Sequence, residues 1–228
     1  MEEMTKREEK EKQAQVALKQ LIAQVDKDPY DPEAYYQLGM ALTEMKSYPQ
    51  AEELFKKALN VFEGQADKQA LLHYGLGNVF YASEFYPEAL KEFQAVKDSK
   101  LANEALLMLA QTNYAQKQYQ SCVAFALTVF EQDATNTTAL KLVADSLMAL
   151  GSFAEAKQYY QKFLELSPAN VEVLFSLGLV KLVLGEDAKG LLTKVKQSDA
   201  KYYAKMQTRL QEVEAFIKKT QPKDKAGD

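Results

Sequence analysis

A helix-sized pattern returns along this chain at a near-constant interval, and that interval restricts the fold more than any other feature. Pairs of an aliphatic and a small residue stand at Leu38-Gly39, Leu76-Gly77, Leu109-Ala110, Val143-Ala144 and Leu177-Gly178. The steps between the small residues are 38, 33, 34 and 34. Three positions before each pair is a larger side chain: Tyr35, His73, Leu106, Leu140 and Leu174. One turn later come Leu42, Phe80, Asn113 and Leu147, and Lys181 breaks the pattern in the fifth unit.

Each unit has a second amphipathic segment, read as Ala51-Phe55-Ala58, Ala89-Phe93-Val96 and Ala156-Tyr160-Phe163. The third unit swaps sizes, as Cys122-Ala126-Val129, and the fifth fits as Ala188-Leu192-Val195 once two residues are removed from its turn. An aromatic residue, Tyr48, Tyr86, Tyr119 or Phe153, stands just ahead of this second segment in the first four units. Spacings of i, i+3, i+4 and i+7, as in Tyr35, Leu38, Gly39 and Leu42, put these residues on one helical face. Neither helix can bury its stripe alone, so the pair packs together and the next pair covers it.

These residues resemble the tetratricopeptide repeat, a helix–turn–helix unit of about 34 residues. The departures are the absence of Trp, a four-residue excess around Gly64–Lys68, and irregular third and fifth units. The resemblance implies an all-α, right-handed superhelical solenoid of about five repeats, near residues 32–65, 68–99, 103–135, 137–169 and 171–197 within 30–198. Residues 1–29 read as a charged N-terminal helix and degenerate half repeat, marked by Ala17, Leu21 and Pro29. Residues 199–219 read as a C-terminal capping helix presenting Tyr203, Met206, Leu210, Val213 and Ile217, and 220–228 as a polar, disordered tail.

One position along each first helix lies a second stripe, spaced i, i+4, i+7 and about 100° round from the core face. It comprises Tyr36, Met40 and Thr43; Tyr74, Asn78 and Tyr81; Leu107, Gln111 and Tyr114; Lys141, Asp145 and Met148; and Phe175, Leu179 and Leu182. In tetratricopeptide proteins the first helices line the concave side, where a partner's peptide or helix is held. The resemblance therefore implies a peptide-binding groove using Tyr36, Met40, Tyr74, Asn78, Tyr81, Leu107, Gln111, Tyr114, Lys141, Asp145 and Met148. Whether the C-terminal helix covers Phe175, Leu179 and Leu182 stays open at this point. The resemblance does not extend to the subclass that clamps a terminal carboxylate. Tyr36 and Met40 stand where that clamp has Lys and Asn, Asn78 matches its second-repeat Asn, and Glu104 and Met108 replace its third-repeat bases.

Other chemistry is poorly supplied. Only Arg7 and Arg209 are arginines, the net charge is −4, and no basic stripe appears, which argues against a nucleic-acid binder. The single histidine, His73, and single cysteine, Cys122, occupy core slots; they read as packed residues, not as a catalytic base, a metal site or a disulfide. The adjacent pairs Glu2-Glu3, Glu8-Glu9 and Glu52-Glu53 point about 100° apart on a helix and cannot flank one bond. Gly75-x-Gly77 sits inside a helical pattern and makes no dinucleotide loop. No apolar run reaches the roughly 18 residues of a membrane span. The expectation is a non-enzymatic, cofactor-free cytoplasmic adaptor of bacterial character, binding an unidentified protein or peptide. The alternative is a self-associating structural protein, a homodimer through terminal helices that fill a neighbour's groove.

Overall fold

A computed structural model describes the backbone of residues 2–96 and 100–220 and the side chains of 12–96 and 100–219. The tail expected at 220–228 lies outside these residues, apart from the backbone of Thr220. Twelve helices and no strand occur among the described residues: α1 Glu2–Lys27, α2 Pro32–Glu44, α3 Tyr48–Val61, α4 Ala66–Ala82, α5 Tyr86–Ala95, α6 Ala102–Ala115, α7 Tyr119–Gln132, α8 Thr137–Ala149, α9 Phe153–Leu166, α10 Val171–Val183, α11 Lys189–Ser198 and α12 Ala200–Thr220. They form two compact units, Met1–Gln116 and Lys117–Asp228.

Local chemistry sets the helix ends. Asp31 caps α2 by accepting from the Glu33 N–H at 3.0 Å, and Pro32 follows where no N–H is needed. Asn136 and Asn170 cap α8 and α10 through the Ala139 and Val173 amides. After α2, α4, α6, α8 and α10 stands a residue with left-handed φ: Lys46 (59°), Glu84 (65°), Lys117 (60°), Gly151 (80°) and Gly185 (73°). Their spacings, 38, 33, 34 and 34, repeat those of the sequence pattern. The bonds Ser47 N–H to Leu42 C=O, Phe85 to Phe80, Ser152 to Leu147 and Glu186 to Lys181, all between 2.8 and 2.9 Å, make the same helix-ending turn each time.

In the first unit α2 packs on α3 and α4, and α4 on α5. The Phe55 ring of α3, fully buried, lies against the bare Cα atoms of both Gly39 in α2 and Gly75 in α4. A Cβ at either glycine would overlap that ring. Gly77 receives Phe93 of α5 in the same manner, with a Cβ there falling 2.6 Å from Cε1. Leu18, Leu21 and Val25 of α1 are half-buried, whereas Ala17 is exposed, so α1 turns a different face inward from the helix α3.

In the second unit Leu140 and Ala144 of α8 pack with Ala156, Tyr160 and Phe163 of α9 and Val173, Leu177 and Val180 of α10. Gly178 admits Leu192 of α11, a Cβ there falling 2.9 Å from Cδ2, which gives the irregular fifth unit the register of the others. The α12 helix closes this end. Leu210 is buried with Leu174, Phe175 and Leu179, and Tyr203, Met206 and Val213 pack beside them. Phe175 meets Tyr202 edge to face, with centroids 5.9 Å apart. The last stripe is therefore covered: Phe175 and Leu179 are 1% and 3% exposed.

Two substitutions separate these constraints. Gly77→Ala should destabilise by up to about 2 kcal/mol in urea unfolding, because overpacking of about 1–3 kcal/mol outweighs the helix-propensity gain of about 1. Glu84→Gly should instead stabilise by about 0.5 kcal/mol, since relief of about 1–2 kcal/mol of left-handed strain outweighs about 0.4–1 of added unfolded-state entropy. A stabilised Gly77→Ala would show that the close approach imposes no strain.

Candidate functional site

In the first unit, α2, α4 and α6 carry the stripe expected to meet a partner. Tyr36, Met40, Tyr74, Asn78, Tyr81, Leu107, Gln111 and Tyr114 are all half-buried, between the core and open solvent. Thr43 is buried and donates to the Gly39 carbonyl at 2.7 Å, so it belongs to the helix interior.

The tyrosines are fixed by repeat-to-repeat packing. Tyr36 lies against the open Cα of Gly75. Tyr74 tilts against Phe93 with centroids 5.9 Å apart, and it packs on the cluster of Ala70, Val96 and Ala105. Tyr81 meets Tyr86 at 5.9 Å, edge to face. Burial raises the pKa of all three phenols. The neighbouring Tyr74 and Glu33 add to the effect at Tyr36, Glu104 adds at Tyr74 against an opposing hydrogen bond with Asn78, and Tyr86 adds at Tyr81. All three therefore remain neutral through the physiological range, as rigid rings with a hydroxyl available for hydrogen bonding.

In the second unit the expected residues are joined to one another and to α9 by side-chain contacts. The Tyr160 hydroxyl donates to Asp145 Oδ1 at 2.6 Å and lies 3.7 Å from Met148 Sδ. Lys141 Nζ donates to Asp145 Oδ2 at 2.8 Å. Tyr160 is fully buried, so Asp145 supplies an acceptor that its hydroxyl requires. Lys141, Asp145 and Met148 are thus joined in one network that ties α8 to α9.

His73, expected to be a packed residue, is half-buried with Nδ1 2.7 Å from Glu92 Oε2. Cys122 is fully buried and burial pushes its thiol pKa up, which disfavours the reactive thiolate. Glu52 and Glu53 pair with Lys56 and Lys57 one turn on, as on a solvated face. Among the described residues no cluster of three or more His, Cys, Asp or Glu could hold a metal ion, and no helix is long and apolar enough to cross a membrane. One feature was not anticipated from sequence. An open cavity of about 980 Å³ is lined by Leu192, Thr193, Lys196, Tyr203, Leu210 and Glu214, between α11 and α12.

Sequence models of the tetratricopeptide repeat match residues 30–98 and, in a second form, 74–125 and 143–195. The chain belongs to the tetratricopeptide repeat family. Among curated proteins it is similar to a "DnaJ protein P58IPK homolog" of Arabidopsis thaliana, at 26% identity over 73% of this chain. It spans only 37% of that relative's length. Among solved structures it is similar to YrrB, described as a TPR protein with an unusual peptide-binding site, with a TM-score of 0.66 and 18% identity. That match covers 83% of this chain and 97% of YrrB. MamA matches with a TM-score of 0.63 and 15% identity over 75% of this chain and 92% of its own. At these identities the two structures establish the fold: an all-α tetratricopeptide solenoid.

The phenols and the Asp145 network give two measurable consequences. A phenol whose folded pKa lies above its unfolded value, near 10, favours folding below pH 10, and that contribution is lost as pH rises through the folded value. Wild type should therefore lose stability above pH 10 more steeply than Tyr36→Phe/Tyr74→Phe/Tyr81→Phe, and equal slopes would contradict the raised values. Asp145→Ala should cost about 1–3 kcal/mol in urea unfolding because it removes the carboxylate to which the buried Tyr160 hydroxyl donates. No loss would show that the Tyr160 hydroxyl does not depend on Asp145.

Proposed function

We propose that this chain is a non-enzymatic adaptor that holds a peptide or helix of a partner protein on the first-helix face of its first unit. One observation carries the reading. Tyr36, Tyr74, Tyr81, Leu107 and Tyr114 sit half-exposed beside Asn78 and Gln111, on helices whose other apolar face already fills the core. Rigid aromatic rings give contact area at small entropic cost and dominate binding hot spots. Amides beside them can fix the direction of a bound backbone. Membership of a repeat family built for protein interaction supports the reading, as does the peptide-binding site named for YrrB. In the second unit, Lys141, Asp145 and Met148 contribute by holding α8 on α9. The composition, with one unpaired thiol, suits the cytoplasm.

Affinity capture from extract of the source cells tests this. Wild type should retain specific proteins that Tyr81→Ala/Gln111→Ala releases, with both proteins equally helical by circular dichroism. Equal retention would move the binding surface elsewhere.

A second reading has its own observation. Val16 and Ile22 on α1 are 51% and 43% exposed, and Phe216 on α12 is 57% exposed. Apolar exposure on both terminal helices suits self-association through them. Light scattering should then show mass rising with concentration, and a monomer throughout would remove this reading.

A further inference from the structure

Resting on the peptide-binding reading above, we infer that the occupant of the first unit's tyrosine face is a basic segment of a partner protein, presenting Lys or Arg side chains to the rings. Charge on the face carries the argument. The helices α2, α4 and α6 contain four carboxylates, Glu33, Glu44, Asp67 and Glu104. At 100° per residue, each falls within about 80° of the tyrosine or leucine that opens its stripe. Glu33 precedes Tyr36 by three residues, Asp67 precedes Tyr74 by seven, and Glu104 precedes Leu107 by three.

No base balances them on these helices. Lys68 and His73 are the only basic residues there, and each is engaged elsewhere. Lys68 lies over the Phe62 ring at 5.1 Å, and His73 lies against Glu92. The bases nearest in sequence, Lys46 just after α2, Lys100 just before α6 and Lys117 just after α6, lie outside the helices and are exposed.

Helix dipoles explain part of this pattern and leave the rest. A carboxylate in the first turn is favoured by the helix N-terminus, which accounts for Glu33, Asp67 and Glu104. It does not account for Glu44, in the last turn of α2, where the dipole favours a cation. Nor does it account for the last turns of α2, α4 and α6, none of which holds a base. Neutral tyrosine faces attract cations through their quadrupole, and flanking carboxylates add to that attraction. An acidic segment would meet four carboxylates and no available ammonium or guanidinium on these helices. Alternating Lys or Arg with apolar residues would let cations reach Glu33 and Glu104 while the apolar residues contact Leu107 and Met40.

Selection of random dodecapeptides displayed on phage, against the full chain, tests the inference without presuming a ligand. Lys and Arg should be enriched several-fold over the input on wild type. A synthetic peptide from that selection should bind about tenfold more weakly to Glu33→Gln/Glu104→Gln by fluorescence anisotropy. Charge reversal, Glu33→Lys/Glu104→Lys, should weaken it further. Glu52→Gln/Glu53→Gln, which removes the same charge from α3, should leave it unchanged. Enrichment of acidic or uncharged peptides that still require Tyr81 would overturn the basic occupant and keep the tyrosine face as the site. Equal loss in the α3 variant would reduce the effect to net charge and overturn the inference as well. Selected peptides that bind Tyr81→Ala/Gln111→Ala as tightly as wild type would overturn the peptide-binding reading itself.

Discussion

The ring of Phe55 rests between two glycines, and the first unit depends on that contact. Gly39 belongs to the helix paired with α3, and Gly75 belongs to the first helix of the next pair. One side chain thereby sets both the spacing within a pair and the spacing between pairs. Interiors packed at crystal-like density transmit such a constraint with little slack. Gly77 with Phe93 and Gly178 with Leu192 repeat the within-pair contact further along. In the fourth pair Ala144 and Ala156, both fully buried, leave the room that Tyr160 fills. The first helices α2, α4, α8 and α10 are each held along one face by these contacts, and the adjoining face is carried outward in a fixed orientation.

That orientation has different consequences in the two units. In the first, the adjoining face holds tyrosines whose rings touch neighbouring helices at one edge and leave the remainder accessible. In the second, the enlarged core residue is a tyrosine with a buried hydroxyl, and a buried hydroxyl needs an acceptor. Asp145 meets that need, Lys141 neutralises Asp145, and the face is drawn into the protein's own packing. The change from Phe at positions 55 and 93 to Tyr at 160 thus alters what the surface beside it can do.

Periodicity made the helix pairs legible in the sequence, because core faces recur at fixed helical offsets whatever the loops contain. It also located the irregular fifth pair, where Gly178 and Leu192 meet as Gly39 and Phe55 do. The left-handed turn residue was less visible. Gly151 and Gly185 signal it, but Lys46, Glu84 and Lys117 adopt the same φ with no compositional mark. Gly75 was legible as a glycine within a helix and not as the second wall of the Phe55 pocket, since that contact joins residues on different helices. Asp145 was legible as a stripe residue and not as the hydrogen-bond partner of Tyr160, for the same reason. Its stripe position is a local property, whereas its partner lies 15 residues away on α9. The covering of Phe175 and Leu179 by α12 likewise required the tertiary arrangement. Helical offset reveals which residues share a face; it does not reveal which of them the protein itself occupies.

The tyrosines of the first unit do both at once. Tyr36 lies on Gly75 and Tyr74 on Phe93, so the rings proposed to face an occupant also help hold α2 to α4 and α4 to α5. An occupant that presses on them restricts the same rotations that would loosen one repeat from the next. Binding to the packed arrangement and not to a loosened one stabilises the packed arrangement by mass action. In a repeat array, whose stability is close to a sum of neighbouring interfaces, that stabilisation falls on the two interfaces the ligand spans. On the proposed reading, partner recognition and repeat packing are therefore linked through shared side chains, and a change at Tyr36 or Tyr74 acts on both.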